Sequence, residues 1–219
     1  MKTEQAIRHS EDLITWIDKN IDGINIPSET RFRLAGGCLD VALEHHKAVV
    51  LLIKYHLYGS AFAMVRPLFE SYVRGVWLHR CASDSDINRF TADKLDSSFV
   101  KLIQDVEKLP GFDCGTLSSV KSAAWKAMNS YTHSGLLQVT RRNTESSIEP
   151  NYTKGEVLQV INNVNAFALF TTMAIAQLAG NDPLMKDVLE KAKLLKQGSN
   201  HGMQSDTRRS ASITEQSKR

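Results

Sequence analysis

The apolar residues of this chain recur at helical spacing along most of its length, and no stretch alternates with the two-residue period of a strand. A chain patterned this way must bury helix stripes against one another, which restricts it to an all-α bundle. With only 12 glycines and 5 prolines in 219 residues, long helices meet few breakers. Ile7, Ile14, Ile17 and Ile21 put one apolar stripe on an N-terminal helix. Ser28, after Pro27, is the expected N-cap of a second helix that runs towards Leu57 through the apolar block Ala48 to Ile53. Tyr58-Gly59-Ser60 is the expected break, and a third helix follows from about Ala61 to Ala82.

The punctuation further along is stronger. Ser83 to Asp86 reads as a capping box opening a helical stretch that reaches Leu109 with an interruption. Pro110-Gly111 breaks it. Thr116 or Ser118 caps a helix that ends near His133, where Ser134-Gly135 stops it. Leu136 to Tyr152 is the one long irregular segment. Thr153 to Glu156 is a capping box in its strict form and opens a buried helix through Leu178. Asn181-Asp182-Pro183 starts the last helix with a cap followed by proline at its first position. The expectation is a single bundle of six or seven helices over residues 1–197, with a disordered tail over 198–219 that holds almost no large apolar residue.

Charge and cysteine content narrow the class but not the function. Twenty-seven basic against 24 acidic residues leave a net charge of +3, too balanced to announce a nucleic-acid binder by itself. Cys38, Cys81 and Cys114 lie far apart without CxxC spacing, which fits small core residues in a reduced, cytoplasmic protein. Glu4, Glu11, Asp12 and Asp18 exclude a secretory core at the N-terminus. Val164 to Ala179 is shorter than the roughly 20 residues of a membrane span and carries Asn165, Thr171, Thr172 and Gln177, so it reads as a buried helix with no membrane partner.

Two helices carry the chemistry. On the third, Arg66, Glu70 and Arg74 form an i, i+4, i+8 row beside a broad apolar arc. The plainer reading is a surface ion-pair ladder; the sharper one sets Arg66 and Glu70 at the rim of the core, ordering a site or binding an anion. Trp77 falls between them in angle, so that face is expected to be partly covered. Arg74 and His79 stand about 140° apart on a regular helix and diverge, and His79 reads as a core histidine. On the helix before His133, Lys126, Asn129 and His133 share one face, the i, i+7 pair being only about 20° apart. A titratable histidine at a helix C-terminus beside a cation suits acid–base work on a phosphodiester, with Lys126 holding a phosphate oxygen. The plainer reading is a histidine bonding its own last carbonyls. Arg141 and Arg142 follow, extending a phosphate-binding surface or keeping a loop solvated. There is no HExxH, no ExxH and no phosphate-cradling glycine loop, so neither metal nor cofactor is expected.

The pattern Val65-Arg66-Pro67-Leu68-Phe69-Glu70, Arg74-Gly75-Val76-Trp77-Leu78-His79, Tyr131-Thr132-His133-Ser134-Gly135, Arg141-Arg142 and Asn165 to Leu169 resembles a bacterial helical family of unknown function over about Arg31 to Asn181. More distantly it is similar to HEPN domains, metal-independent helical ribonucleases marked by Arg, four to six residues, then His. Arg74-Gly75-Val76-Trp77-Leu78-His79 fits that spacing literally; at the second site Lys126 stands where the arginine would be, and lysine lacks the bidentate fork for phosphate. The resemblance implies RNA as substrate, a homodimer with its histidine faces meeting, and a bacterial defence or toxin setting. His133 and Lys126 would then act on the phosphodiester, with Arg66, Glu70, Arg74, Asn129, Arg141 and Arg142 binding or orienting it. The alternative is a non-catalytic module that binds a protein partner or a second copy of itself. The two separate on whether Arg66, Lys126 and His133 converge.

Overall fold

The structure is a computed structural model that describes residues 2–195; the tail expected over 198–219 lies outside the described residues. Within them the regular elements are all helices: α1 (Thr3–Ile21), α2 (Thr30–Lys54), α3 (Tyr58–Arg80), α4 (Asp84–Thr91), α5 (Phe99–Val106), α6 (Thr116–Thr132), α7 (Leu136–Thr140) and α8 (Lys154–Leu178), then α9 over 182–195. The all-α fold is as the periodicity requires. Nine helices among the described residues replace the expected six or seven for two reasons. The stretch from Ser83 to Leu109 divides into α4 and α5, and the segment read as irregular holds α7 before a turn closed by one bridge between Asn143 and Ile148.

Local chemistry explains most boundaries. Ser83 and Asp86 bond reciprocally at the start of α4, as do Thr153 and Glu156 at the start of α8. Three expected caps are corrected. Ser28 caps nothing: Glu29 occupies the N-cap of α2 without a side-chain bond. Gly115, at φ +67°, occupies the N-cap of α6, and Glu107 at the end of α5 accepts the Ser118 N–H at 2.8 Å, doing the work assigned to Thr116 or Ser118. Before α9 it is the Asn181 side chain that accepts the Leu184 N–H at 3.0 Å, which puts Pro183 one residue further in. The break between α2 and α3 also moves. It falls at His56, which takes φ +59° with its Nδ1 2.7 Å from the Tyr58 hydroxyl, while the Leu57 N–H returns to the Leu52 carbonyl at 2.8 Å. Histidine is among the few non-glycine residues that visit the left-handed region. Gly59 is consequently free to sit in the first turn of α3.

Packing centres on α2 and α3, which fold back on each other with α8 laid against both and against α1. Gly75 permits the close approach: a Cβ there would stand 2.7 Å from Leu39 Cγ and 3.1 Å from the Ala35 carbonyl. Leu39, Ile53, Leu68, Phe69, Leu78 and Ile161 are fully enclosed, each such side chain stabilising the fold by about 1.5–3 kcal/mol relative to exposure. The buried face of α1 is Ala6, Ser10, Leu13 and Ile17; of the expected stripe only Ile17 is fully buried. Helix α8 is long and apolar enough to cross a membrane by length and composition, but Val157, Ile161, Val164, Ala168 and Ile175 are buried against its neighbours, so it is a core helix as its polar interruptions predict. Cys38 and Cys81 are half-buried free thiols, and Cys114 is exposed rather than in the core.

One polar chain crosses this core. His46 Nε2 lies 2.8 Å from Asn165 Oδ1, Asn165 Nδ2 donates to Ser10 Oγ at 2.9 Å, and that hydroxyl donates to the Ala6 carbonyl at 3.0 Å. It ties α2, α8 and α1 together. Burial holds His46 below the ordinary histidine value, with the Asn165 bond opposing, so the neutral ring donates from Nε2 and every member of the chain has a partner.

Candidate functional site at the α3–α6 corner

Proline inside a helix usually weakens it, and here it builds the corner. Pro67 has no N–H, so the Ala63 carbonyl, four residues back, loses its helical donor. The hydroxyl of Thr132 comes to the vacancy, its one hydrogen shared between Ala63 O at 3.2 Å and its own Met128 carbonyl at 2.9 Å. That bond docks the last turn of α6 onto α3 beside Arg66. His133 follows as the C-cap of α6, and Ser134 turns the chain away at φ +52°.

Arg66 is the hub. Its Nε donates to Glu70 Oε1 at 2.9 Å, one turn along α3. Its Nη1 stands 2.8 Å from His133 Nε2, and because a guanidinium only donates, the imidazole accepts. Its Cζ lies 4.6 Å from the centre of the Trp125 ring, a cation–π contact, and the indole also stacks on Phe99 with ring centres 5.1 Å apart. Lys121 brings a second cation to within 5.1 Å of the same ring. The Arg66 and Glu70 side chains are 20% and 28% exposed, and His133 is open to solvent. Arg66 Nη2 makes no hydrogen bond among the described residues. The result is a wet, net-positive corner in which an imidazole and a fixed guanidinium are already in contact.

The residues of this corner lie within one sequence family. A family model matches residues 39–197. The chain belongs to DUF6988, a family of unknown function. No curated protein and no solved structure matches it.

The other expected site residues of this DUF6988 chain disperse. Arg66, Glu70 and His133 come together; Lys126 is exposed on α6 with no bond to them. Asn129 is half-buried, its Oδ1 enclosed without a partner. Arg74 does not continue the ladder: it faces Cys38 on α2, where it partly offsets the burial that raises that thiol, and its Nε is enclosed and unpaired. His79 packs on Phe32 at 5.5 Å, half-buried, and burial lowers it with Arg80 and Arg31 acting in the same sense. Arg74 and His79 therefore make no joint site. Trp77 is buried, as its position between Arg66 and Glu70 predicted, and its Nε1 donates to Asp105 at 3.3 Å.

Arg141 turns to a second cluster, pairing with Glu156 at the start of α8 beside Tyr131 and Tyr152, whose rings pack with Phe62. Burial alone would raise Glu156, but the Thr153 bonds and Arg141 outweigh it and hold the carboxyl low. Arg142 remains exposed. Among the described residues no three His, Cys, Asp or Glu side chains gather where a metal ion would sit. Thr132 stood in the family pattern without a role of its own, and Trp125 and Lys121 were not singled out. The one available signal was Pro67, whose missing N–H demands a donor from elsewhere.

Proposed function

We propose that this chain is a HEPN-like, metal-independent ribonuclease working at the α3–α6 corner. The observation that carries the reading is the contact between the Arg66 guanidinium and His133 Nε2, the pairing of a phosphate-binding group with an acid–base group that such chemistry needs. An incoming phosphate draws Arg66 Nη1 and Nη2 onto its non-bridging oxygens, while Glu70 keeps Nε in place and Trp125 fixes the plane of the guanidinium. That movement frees His133 Nε2. The imidazole takes the proton of the 2′-hydroxyl, the 2′-oxygen bonds to phosphorus as the bond to the 5′-oxygen breaks, and the leaving oxygen takes a proton from water. The products are a 2′,3′-cyclic phosphate and a 5′-hydroxyl. Lys121 and Lys126 supply positive charge along α6 for the rest of the strand, and a homodimer would set two such corners side by side.

A second reading has its own support. Arg66 is held on three sides, by Glu70, His133 and Trp125, as a strut docking α6 on α3 would be. In that case the chain is a non-catalytic interaction module. Cleavage of a mixed RNA pool in EDTA by the wild type and His133→Ala separates the two. Cleavage that leaves cyclic phosphate ends and vanishes in the variant is the expected result. No cleavage at high protein concentration, or equal cleavage by both proteins, removes the ribonuclease reading and leaves the strut.

A further inference from the structure

At the opposite end of α6 from His133 the helices stop short of one another. They leave a cleft of about 780 Å³ between α8, α9 and the connection that leads into α6, inside the range of small-molecule sites. Its walls are Leu169, Phe170, Met173, Leu117, Val188 and Leu189 with others of their kind, and none of the lining residues carries a formal charge. Tyr72 of α3 is part of the lining. It is 3% exposed, yet its hydroxyl makes no hydrogen bond among the described residues. The enclosed polar atoms without a partner lie elsewhere, on Arg74, Asn129, Arg141 and Tyr152, so the Tyr72 hydroxyl reaches the cleft and can donate to a molecule seated there. Asn165 also lines the cleft, but its amide is spent on His46 and Ser10; Cys114 Sγ and Thr116 Oγ1 lie 3.0 Å from each other and Asn162 and Gln177 are exposed, which leaves Tyr72 as the buried side-chain donor facing the cleft without a protein partner.

We propose that this cleft binds a neutral, largely apolar small molecule of drug-like size whose one hydrogen-bond acceptor is taken by the Tyr72 hydroxyl. Neutrality follows from the lining: an anionic or cationic ligand would be desolvated with no charge to meet it. An acceptor follows from the chemistry of Tyr72, since burial keeps the phenol protonated well past the usual range and able to donate at any physiological pH. The site is independent of the ribonuclease reading, sharing none of the corner residues.

The probe is Prodan, a neutral naphthalene ketone whose emission reports both polarity and hydrogen bonding, titrated into the full-length protein. The wild type binds it with a blue shift relative to water and with a raised unfolding temperature. Ala166→Trp, an exposed position on the cleft wall, fills the site and abolishes binding while the free protein unfolds at the wild-type temperature. Tyr72→Phe weakens binding by about threefold to tenfold, the net worth of one hydrogen bond, and shifts the bound emission further to the blue. The anionic analogue 8-anilinonaphthalene-1-sulfonate binds at least about tenfold more weakly than Prodan. Equal binding of Prodan to the wild type and to Ala166→Trp, or no binding to the wild type, overturns the proposal. Binding only after residues 196–219 are removed overturns it too, because the cleft then belongs to the chain's own C-terminal segment.

Discussion

Two histidines in this molecule each hold one side-chain hydrogen bond of 2.8 Å, and their surroundings are opposite. His46 is 1% exposed, bonded to the neutral Asn165, and part of a chain in which every group is satisfied inside the core. His133 is open to solvent and bonded to a guanidinium that has donors to spare. The buried node stabilises, because breaking it strands polar groups away from water. The surface node contributes little to stability, because water replaces whatever is lost, and it keeps the freedom to exchange partners that a reaction requires. Position in the bundle, rather than residue type, separates the structural histidine from the candidate catalytic one.

The largest break in that contrast comes from Asn165→Ala, which leaves both His46 Nε2–H and Ser10 Oγ without their amide partner. Denaturant unfolding should show a loss of about 3 kcal/mol, whereas His133→Ala should lose less than about 0.5 kcal/mol. Acid sharpens it next. Burial holds His46 below its ordinary value of 6.5, so the unfolded chain takes up a proton near that pH which the folded chain refuses. Stability is therefore whole above pH 6.5 and falls below it by up to about 1.4 kcal/mol per pH unit, until the folded-state value is reached. Half-buried His45 and His79 are lowered too and add slope of the same sign. In His46→Gln, unfolding measured between pH 5 and 7 should lose the His46 share of that slope; an unchanged slope would mean that the ring is not held neutral.

Smaller effects are expected at the corner. Thr132→Val removes the donor that Pro67 makes necessary and should cost about 1 kcal/mol. Pro67→Ala, which restores a helical donor for Ala63, should reduce that penalty when the two are combined; full additivity in the double-mutant cycle would show that Thr132 does not serve the orphaned carbonyl. Glu70→Gln, at a pair still reached by solvent, should change stability by less than about 1 kcal/mol.

How far the sequence is legible follows the range of the interaction. Ser83 with Asp86 and Thr153 with Glu156 announce their helices because both partners lie within one turn, and the Arg66–Glu70 pair is readable for the same reason. The cap that Glu107 provides for Ser118 and the Thr132 bond to Ala63 cross between elements, and local spacing gives neither partner; the left-handed turn at His56 is local, but histidine is a far weaker turn signal than the neighbouring Gly59. Arg74 shows the reverse failure: its spacing continues the ladder, but no bond joins it to Glu70 and its Nε is enclosed without a partner. Arg66 and His133, 67 residues apart, could be named separately as candidates, and only the docking of α6 on α3 joins them. The cleft lined by Tyr72 has no sequence signature, because its walls read as ordinary core faces and its existence depends on where three segments fail to meet.

The central claim is that the Arg66–His133 contact serves chemistry rather than stability. The most direct measurement is the single-turnover cleavage rate of one RNA oligonucleotide in EDTA, taken for the wild type and for His133→Ala at equal concentration. Loss of an acid–base group predicts a rate at least about 100-fold lower in the variant; rates within twofold of each other, or no cleavage by the wild type, would contradict it.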